Sequence, residues 1–138
     1  MSGFKTISIR STGSIEFIDI TPEVKRYVSE QGIKDGIILV YTPHTTAGIT
    51  INENADPAVT ADIEAFISQK IPHESYFRHM EGNSPAHIMS SYFSASETLI
   101  IHDEHLVLGT WQGIYFCEFD GPRHRKVHLK IIVDKEDA

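Results

Sequence analysis

The chain holds a single cysteine, Cys117, among 138 residues. One thiol cannot close an internal disulfide, which excludes a disulfide-stapled scaffold and suits a reducing compartment. Long apolar runs are absent too: none approaches the roughly 20 residues that span a bilayer. The opening Met1-Ser2-Gly3-Phe4-Lys5 lacks the apolar core of a signal peptide. The expectation is a cytoplasmic protein with no membrane partner. Positive charge is also scarce, 12 Lys and Arg against 19 Asp and Glu, for a net charge of -7. That balance disfavours general binding to nucleic-acid phosphates. It leaves room for a small phosphorylated metabolite, provided that a metal, a helix N-terminus or a local basic cluster receives the phosphate. One such cluster is present, Arg123-His124-Arg125-Lys126.

What remains is an ordinary globular mix, 41% hydrophobic and 22% charged. No internal repeat or low-complexity tract interrupts it, and the length fits one domain over residues 1–138. Histidine is enriched, with eight in the chain. It is the commonest metal ligand and the usual proton shuttle near neutral pH.

Residues 4–10 alternate as a strand expected at a sheet edge, and residues 15–20 read as a second strand. Thr21-Pro22-Glu23 opens a helix whose apolar face is Val24, Tyr27 and Val28, and Gly32 stops it. The continuous run Ile37-Ile38-Leu39-Val40 predicts a strand buried on both faces. A strand over 48–51 follows, then a helix capped by Asp56 and opened by Pro57, with Val59, Ile63, Phe66 and Ile67 as its buried stripe. Ser84 suits an N-cap for a short helix that begins with Pro85. Residues 90–96 are small and polar and predict a linker. His102-Asp103-Glu104-His105 reads as a hairpin turn, 109–119 as a long alternating strand, and 125–133 as the last strand before a polar tail over 134–138. In the long strand Trp111, Tyr115, Cys117 and Phe119 share one face, and Gln112, Ile114, Phe116 and Glu118 the other. Helices do not alternate with strands, so the expectation is an α+β, β-rich domain with a curved, mostly antiparallel sheet or sandwich and about three helices.

Polar residues are densest where the apolar pattern stops. His79-Met80-Glu81-Gly82-Asn83-Ser84-Pro85-Ala86-His87 brackets a glycine turn with two imidazoles and a carboxylate. His87 falls in the first turn of a helix, where the partial positive charge disfavours a protonated imidazole. The loop 44–56 is expected at the same place. His44, His79 and His87 are then candidate ligands for a divalent metal, zinc or magnesium; otherwise they are hydrogen-bonded residues around a metal-free pocket. Glu81 and Glu53 are candidates for general acid–base work or for supporting a ligand histidine. Asn52 is a candidate for a substrate amide or ring nitrogen, and Asn54 for a bond to its own backbone. Trp111 is either a stacking platform or a core residue. Arg123 and Arg125 form either a phosphate fork or an inter-subunit salt bridge. Cys117 reads as buried and inert.

Three ordered stretches, together with the ending Glu118-Phe119-Asp120-Gly121-Pro122-Arg123-His124-Arg125, resemble the YjbQ family, uncharacterised protein family 0047. They are His44-Thr45-Thr46-Ala47-Gly48-Ile49-Thr50-Ile51-Asn52-Glu53-Asn54-Ala55-Asp56-Pro57, then Glu81-Gly82-Asn83 with Pro85-Ala86-His87, then Gly109-Thr110-Trp111-Gln112-Gly113-Ile114. The family usually has glycine where Ser94 and Glu104 stand here. The resemblance implies a compact β-rich domain, a homotrimer with pockets near subunit boundaries, and a secondary thiamine-phosphate synthase activity. That reaction joins an aminopyrimidine diphosphate to a thiazole phosphate and expels pyrophosphate. On this expectation His44, Glu81, His87 and Glu53 are the candidate catalytic residues. Thr45, Asn52, Asp56, Asn83, Trp111, Gln112, Arg123 and Arg125 are the candidate substrate-binding set. Two other readings stay open: a metal-dependent hydrolase using the same histidines, and a trimeric protein that binds a metal or metabolite without turnover.

Overall fold

The computed structural model describes residues 3–135. Eight strands and three helices follow in the order β1 (Phe4–Arg10), β2 (Glu16–Asp19), α1 (Thr21–Gln31), β3 (Gly36–Tyr41), β4 (Ala47–Glu53), α2 (Pro57–Lys70), α3 (Ser84–Phe93), β5 (Ser96–His102), β6 (His105–Leu106), β7 (Gln112–Glu118) and β8 (His124–Val133). They form two antiparallel sheets, one of five strands in the order β1-β8-β3-β5-β6 and one of three in the order β2-β7-β4. The α+β, mostly antiparallel architecture is the expected one.

The alternation along β7 explains the layering. Ile114 and Phe116 enter the main core, which they share with Ile38, Val40, Leu129 and Ile131 of the larger sheet and Val24 and Val28 of α1. Tyr115, Cys117 and Phe119 point the other way, onto Ile67 of α2 and Ala86 and Met89 of α3. The small sheet is therefore covered on both faces. Cys117 is fully buried, and that burial pushes its thiol pKa well up.

Five expectations are corrected. In β3, Ile38 and Val40 are buried but Ile37 and Leu39 are only half-buried, because that face of the larger sheet is its outer one, and an antiparallel sheet tolerates an open face. Residues 90–93 continue α3 rather than forming a linker. The helix absorbs its hydroxyls: Ser90 Oγ donates to Ala47 O at 2.7 Å and Ser91 Oγ to His87 O at 3.0 Å. Residues 109–111 form a turn, closed by Gln112 N donating to Gly109 O, so β7 begins at Gln112. Phe66 faces out at 61% exposed, in an apolar groove with Tyr92 and Phe93. Asn83, not Ser84, is the N-cap of α3. Of the predicted tail, residues 136–138 lie outside the described residues. Among the described residues no helix is long and apolar enough to cross a membrane.

Candidate functional site

The site is built where β3 leaves the larger sheet. The pairing of β3 with β8 ends at Tyr41 opposite His128. Beyond that point the chain turns away, yet Lys126 of β8 still presents a backbone N–H and C=O on that side. Both need partners. Thr42 Oγ1 donates to Lys126 O at 3.0 Å, and His44 Nε2 accepts from Lys126 N at 2.9 Å. The loop 42–46 is thus stitched to β8 by two side chains before β4 begins.

Beneath it lies a buried ion pair. Glu118, at the end of β7, is 0% exposed and Arg125, near the start of β8, is 5% exposed. Arg125 Nε donates to Glu118 Oε1 at 2.8 Å, and its Nη2 donates to Glu118 Oε2 and to Thr46 Oγ1. Ser11 Oγ and the Asp120 backbone N–H also donate to the carboxylate. Burial alone would raise the Glu118 pKa; the hydrogen bonds from Arg125, Ser11 and Asp120 and the guanidinium charge hold it below its ordinary value. Arg125 is therefore neither a free arm of a phosphate fork nor an inter-subunit salt bridge. It is the first residue of the inward-facing row Arg125, Val127, Leu129 and Ile131, which forces its charge to find a partner inside.

Above this floor sits a cleft of about 310 Å³ lined by Pro43, His44, Thr45, Thr46, Glu81, Asn83, His87, Arg123 and Arg125. The loop before α3 supplies Glu81 and Asn83, and the first turn of α3 supplies His87. Asn83 Nδ2 donates to Glu81 Oε2 at 3.1 Å and to Asp120 Oδ2 at 2.8 Å, while Arg123 Nη2 donates to the same Asp120 oxygen at 2.9 Å. Glu81 Oε2 lies 3.6 Å from Arg123 Nη2. Desolvation, then the charge of Arg125, lowers the pKa of His44. The imidazole of His87 carries no ring hydrogen bond among the described residues, and it meets His79 edge-on at 5.1 Å between centroids.

The rest of the expected set stands elsewhere. Register places Ala47 opposite Glu118 at the cleft and Glu53 opposite Gln112 at the far end of β4. At about 3.3 Å per residue those ends are roughly 20 Å apart. Asn52, Glu53, Asp56, Trp111 and Gln112 all belong to the far end, so only residues 43–46 of the polar loop reach His87. Asp56 Oδ1 is taken by Ala58 N as the cap of α2, and Gln112 Oε1 accepts from Gly109 N. Asn52 Oδ1 accepts from Glu53 N, and Asn54 donates to Asp19 Oδ2 rather than bonding its own backbone. Trp111 is 62% exposed, so it is not a core residue, and it does not line the cleft.

The predicted metal ligands do not fit a metal within one chain. His79 and His87 adjoin, but His44 has Nε2 committed to Lys126. Among the described residues, no group of three His, Cys, Asp or Glu side chains is close enough to hold a metal ion.

Residues 5–134 match the family described as UPF0047 protein YjbQ-like. The chain belongs to that family. A UPF0047 protein of Methanocaldococcus jannaschii is 56% identical, the match covering 92% of each chain. The UPF0047 protein YugU of Bacillus subtilis is 53% identical over 93% of this chain and 98% of that one. The fold is shared at similar and at much lower identity. A crystal structure of an uncharacterised YjbQ/UPF0047 protein from Clostridium acetobutylicum superposes with a TM-score of 0.90 at 53% identity, covering 93% of this chain and 99% of that one. A protein of unknown function from Sulfolobus solfataricus does so with a TM-score of 0.90 at 31% identity, covering 95% and 96%.

Reasoning from sequence missed Glu118, Thr46 and Asp120. Glu118 did carry a signal, a carboxylate on the strand face otherwise filled by Ile114 and Phe116. Its partner lies seven residues on, across the Asp120-Gly121-Pro122 turn.

Proposed function

We propose that this protein is an enzyme acting on a small phosphorylated heterocycle, of the secondary thiamine-phosphate synthase type. It would join an aminopyrimidine diphosphate to a thiazole phosphate and release pyrophosphate. The observation that carries the reading is the cleft, in which His44, Glu81, His87 and Arg123 come together from four separate segments. Arg123 is the exposed cation there and would offset charge developing on the departing pyrophosphate. The unpartnered imidazole of His87 would exchange a proton, and Glu81, held by Asn83, would orient the amino-substituted ring.

The second part of the proposal is self-association as a homotrimer. Phe4, Tyr41, Ile100 and Ile132 are exposed on the outer face of the larger sheet. In such an assembly the Asn52–Gln112 end of one subunit would meet the cleft of the next. That would unite the two polar groups that lie apart on one chain.

The test is incubation with the two thiamine precursors and measurement of pyrophosphate and thiamine phosphate. Stoichiometric release of both, abolished by His87→Ala, is expected. Tight binding of a precursor with no product would instead make the protein a binding module.

A further inference from the structure

The bond between His44 and Lys126 dictates more than a loop conformation. A backbone N–H can only donate, so the Nε2 that receives it at 2.9 Å carries a lone pair and no proton. In a neutral imidazole the proton must then sit on Nδ1, because the tautomer is set by the hydrogen bond that the other nitrogen makes. Desolvation and the nearby Arg125 guanidinium favour that neutral form. Nδ1 has no partner among the described residues, and His44 lines the cleft.

We propose that His44 acts as a fixed Nδ1–H donor to an oxyanion of the bound ligand, alongside Arg123, and not as a metal ligand or a general base. The inference rests on the reading of the cleft as a site for a phosphorylated compound, and it narrows that reading. A nitrogen that already holds a proton cannot take another from the substrate or offer a lone pair to a metal. The other nitrogen is occupied by β8, and freeing it would leave the Lys126 N–H unpaired. What His44 offers a ligand is one hydrogen bond to an acceptor, with no proton gained or lost. The group it suits is an anionic oxygen such as that of a phosphate or diphosphate. Proton exchange then falls to His87.

Two substitutions separate the nitrogens. His44→Asn keeps an amide N–H near the place of Nδ1, whereas His44→Gln puts its polar end near the place of Nε2. Two-bond proton–nitrogen correlation NMR on the full chain at neutral pH should show His44 protonated on Nδ1 alone. Calorimetry with inorganic pyrophosphate should show His44→Asn binding within a few-fold of wild type. His44→Gln should bind about tenfold or more weakly, the loss of one hydrogen bond to a charged acceptor. A proton on Nε2, an imidazolium at neutral pH, equal losses in the two variants, or no pyrophosphate binding by wild type would each overturn the inference. Absence of thiamine phosphate with this pattern intact would overturn the enzymatic reading alone.

Discussion

Nε2 of His44 accepts the N–H of Lys126 at the point where β3 no longer pairs with β8. The imidazole thus closes the sheet with one nitrogen while the residue lines the cleft.

That position has a pH consequence. Desolvation and Arg125 push the pKa of His44 below its ordinary 6.5. As pH falls below 6.5, the unfolded chain takes up a proton that the folded chain refuses. The contribution to stability is therefore fully present above that value and is lost as pH falls toward the folded pKa. Denaturant unfolding at about pH 7.5 and about pH 5.5 should show a larger loss for wild type than for His44→Asn. Equal losses would mean that His44 titrates as it does in the unfolded chain.

The Glu118–Arg125 pair makes a sharper prediction. Glu118→Ala leaves a guanidinium buried without its carboxylate and is expected to cost about 3–5 kcal/mol. The double variant Glu118→Leu with Arg125→Met removes both charges and should recover most of that loss. Guanidinium titrations of the three proteins would measure it. Additive losses in the double variant would mean that the two charges are not coupled.

How far the sequence led depends on the range of the interaction. The two faces of β7 are legible because alternation is local: Ile114 and Phe116 do face one core, and Tyr115 and Cys117 the other. The approach of His44 to Glu81 and His87 matches the motifs flanking them, which end elements where sites sit. The split of the polar residues between the two ends of β4 was not legible. Position along a strand is set by register with β7, and register depends on residues some sixty positions away. The inward turn of Arg125 is illegible for a related reason, since a basic cluster in sequence says nothing about which of its members alternation turns inward. Ser90 and Ser91 look like linker residues until their hydroxyls are seen bonded to backbone carbonyls.

Two positions at which the family resemblance leads one to expect glycine acquire a backbone meaning. Ser94 has φ 71° and ψ 158°, and Glu104 has φ 68°. L side chains avoid both conformations, and the first is almost confined to glycine. Ser94→Gly and Glu104→Gly should each raise stability by about 0.5–1 kcal/mol, the gain from relieved strain being partly offset by a more flexible unfolded chain. Thermal unfolding of the single variants would check this. A fall in melting temperature on Ser94→Gly would mean that the side chain contributes more than its conformation costs.

Gly121 offers a test of how tightly the floor of the cleft is packed. A Cβ there would lie 2.2 Å from the carbonyl oxygen of Gly13 and 2.8 Å from Ser11 Oγ. The first of these is backbone and cannot swing aside. Gly121→Ala should therefore destabilise by about 1–3 kcal/mol and disturb the Ser11–Glu118 bond. Gly32→Asn, at a helix C-cap with φ 61° and open space around it, should cost little. Comparable losses at the two sites would show that packing around Gly121 is looser than the close approach to Gly13 implies.

The separation of the two polar ends gives the proposed trimer a direct test. If the cleft of one subunit works with the Asn52 end of the next, His87→Ala and Asn52→Ala damage different subunits' contributions to the same site. Each variant alone should fail to release pyrophosphate from the two precursors. Refolded together in equal amounts, random assembly would leave roughly a quarter of the sites with both residues intact, so activity should return to about that fraction of wild type. Recovery is possible only if the two ends meet between chains, because no mixing repairs a site contained within one. If the mixture stays inactive, the far end of β4 does not serve a neighbour's cleft.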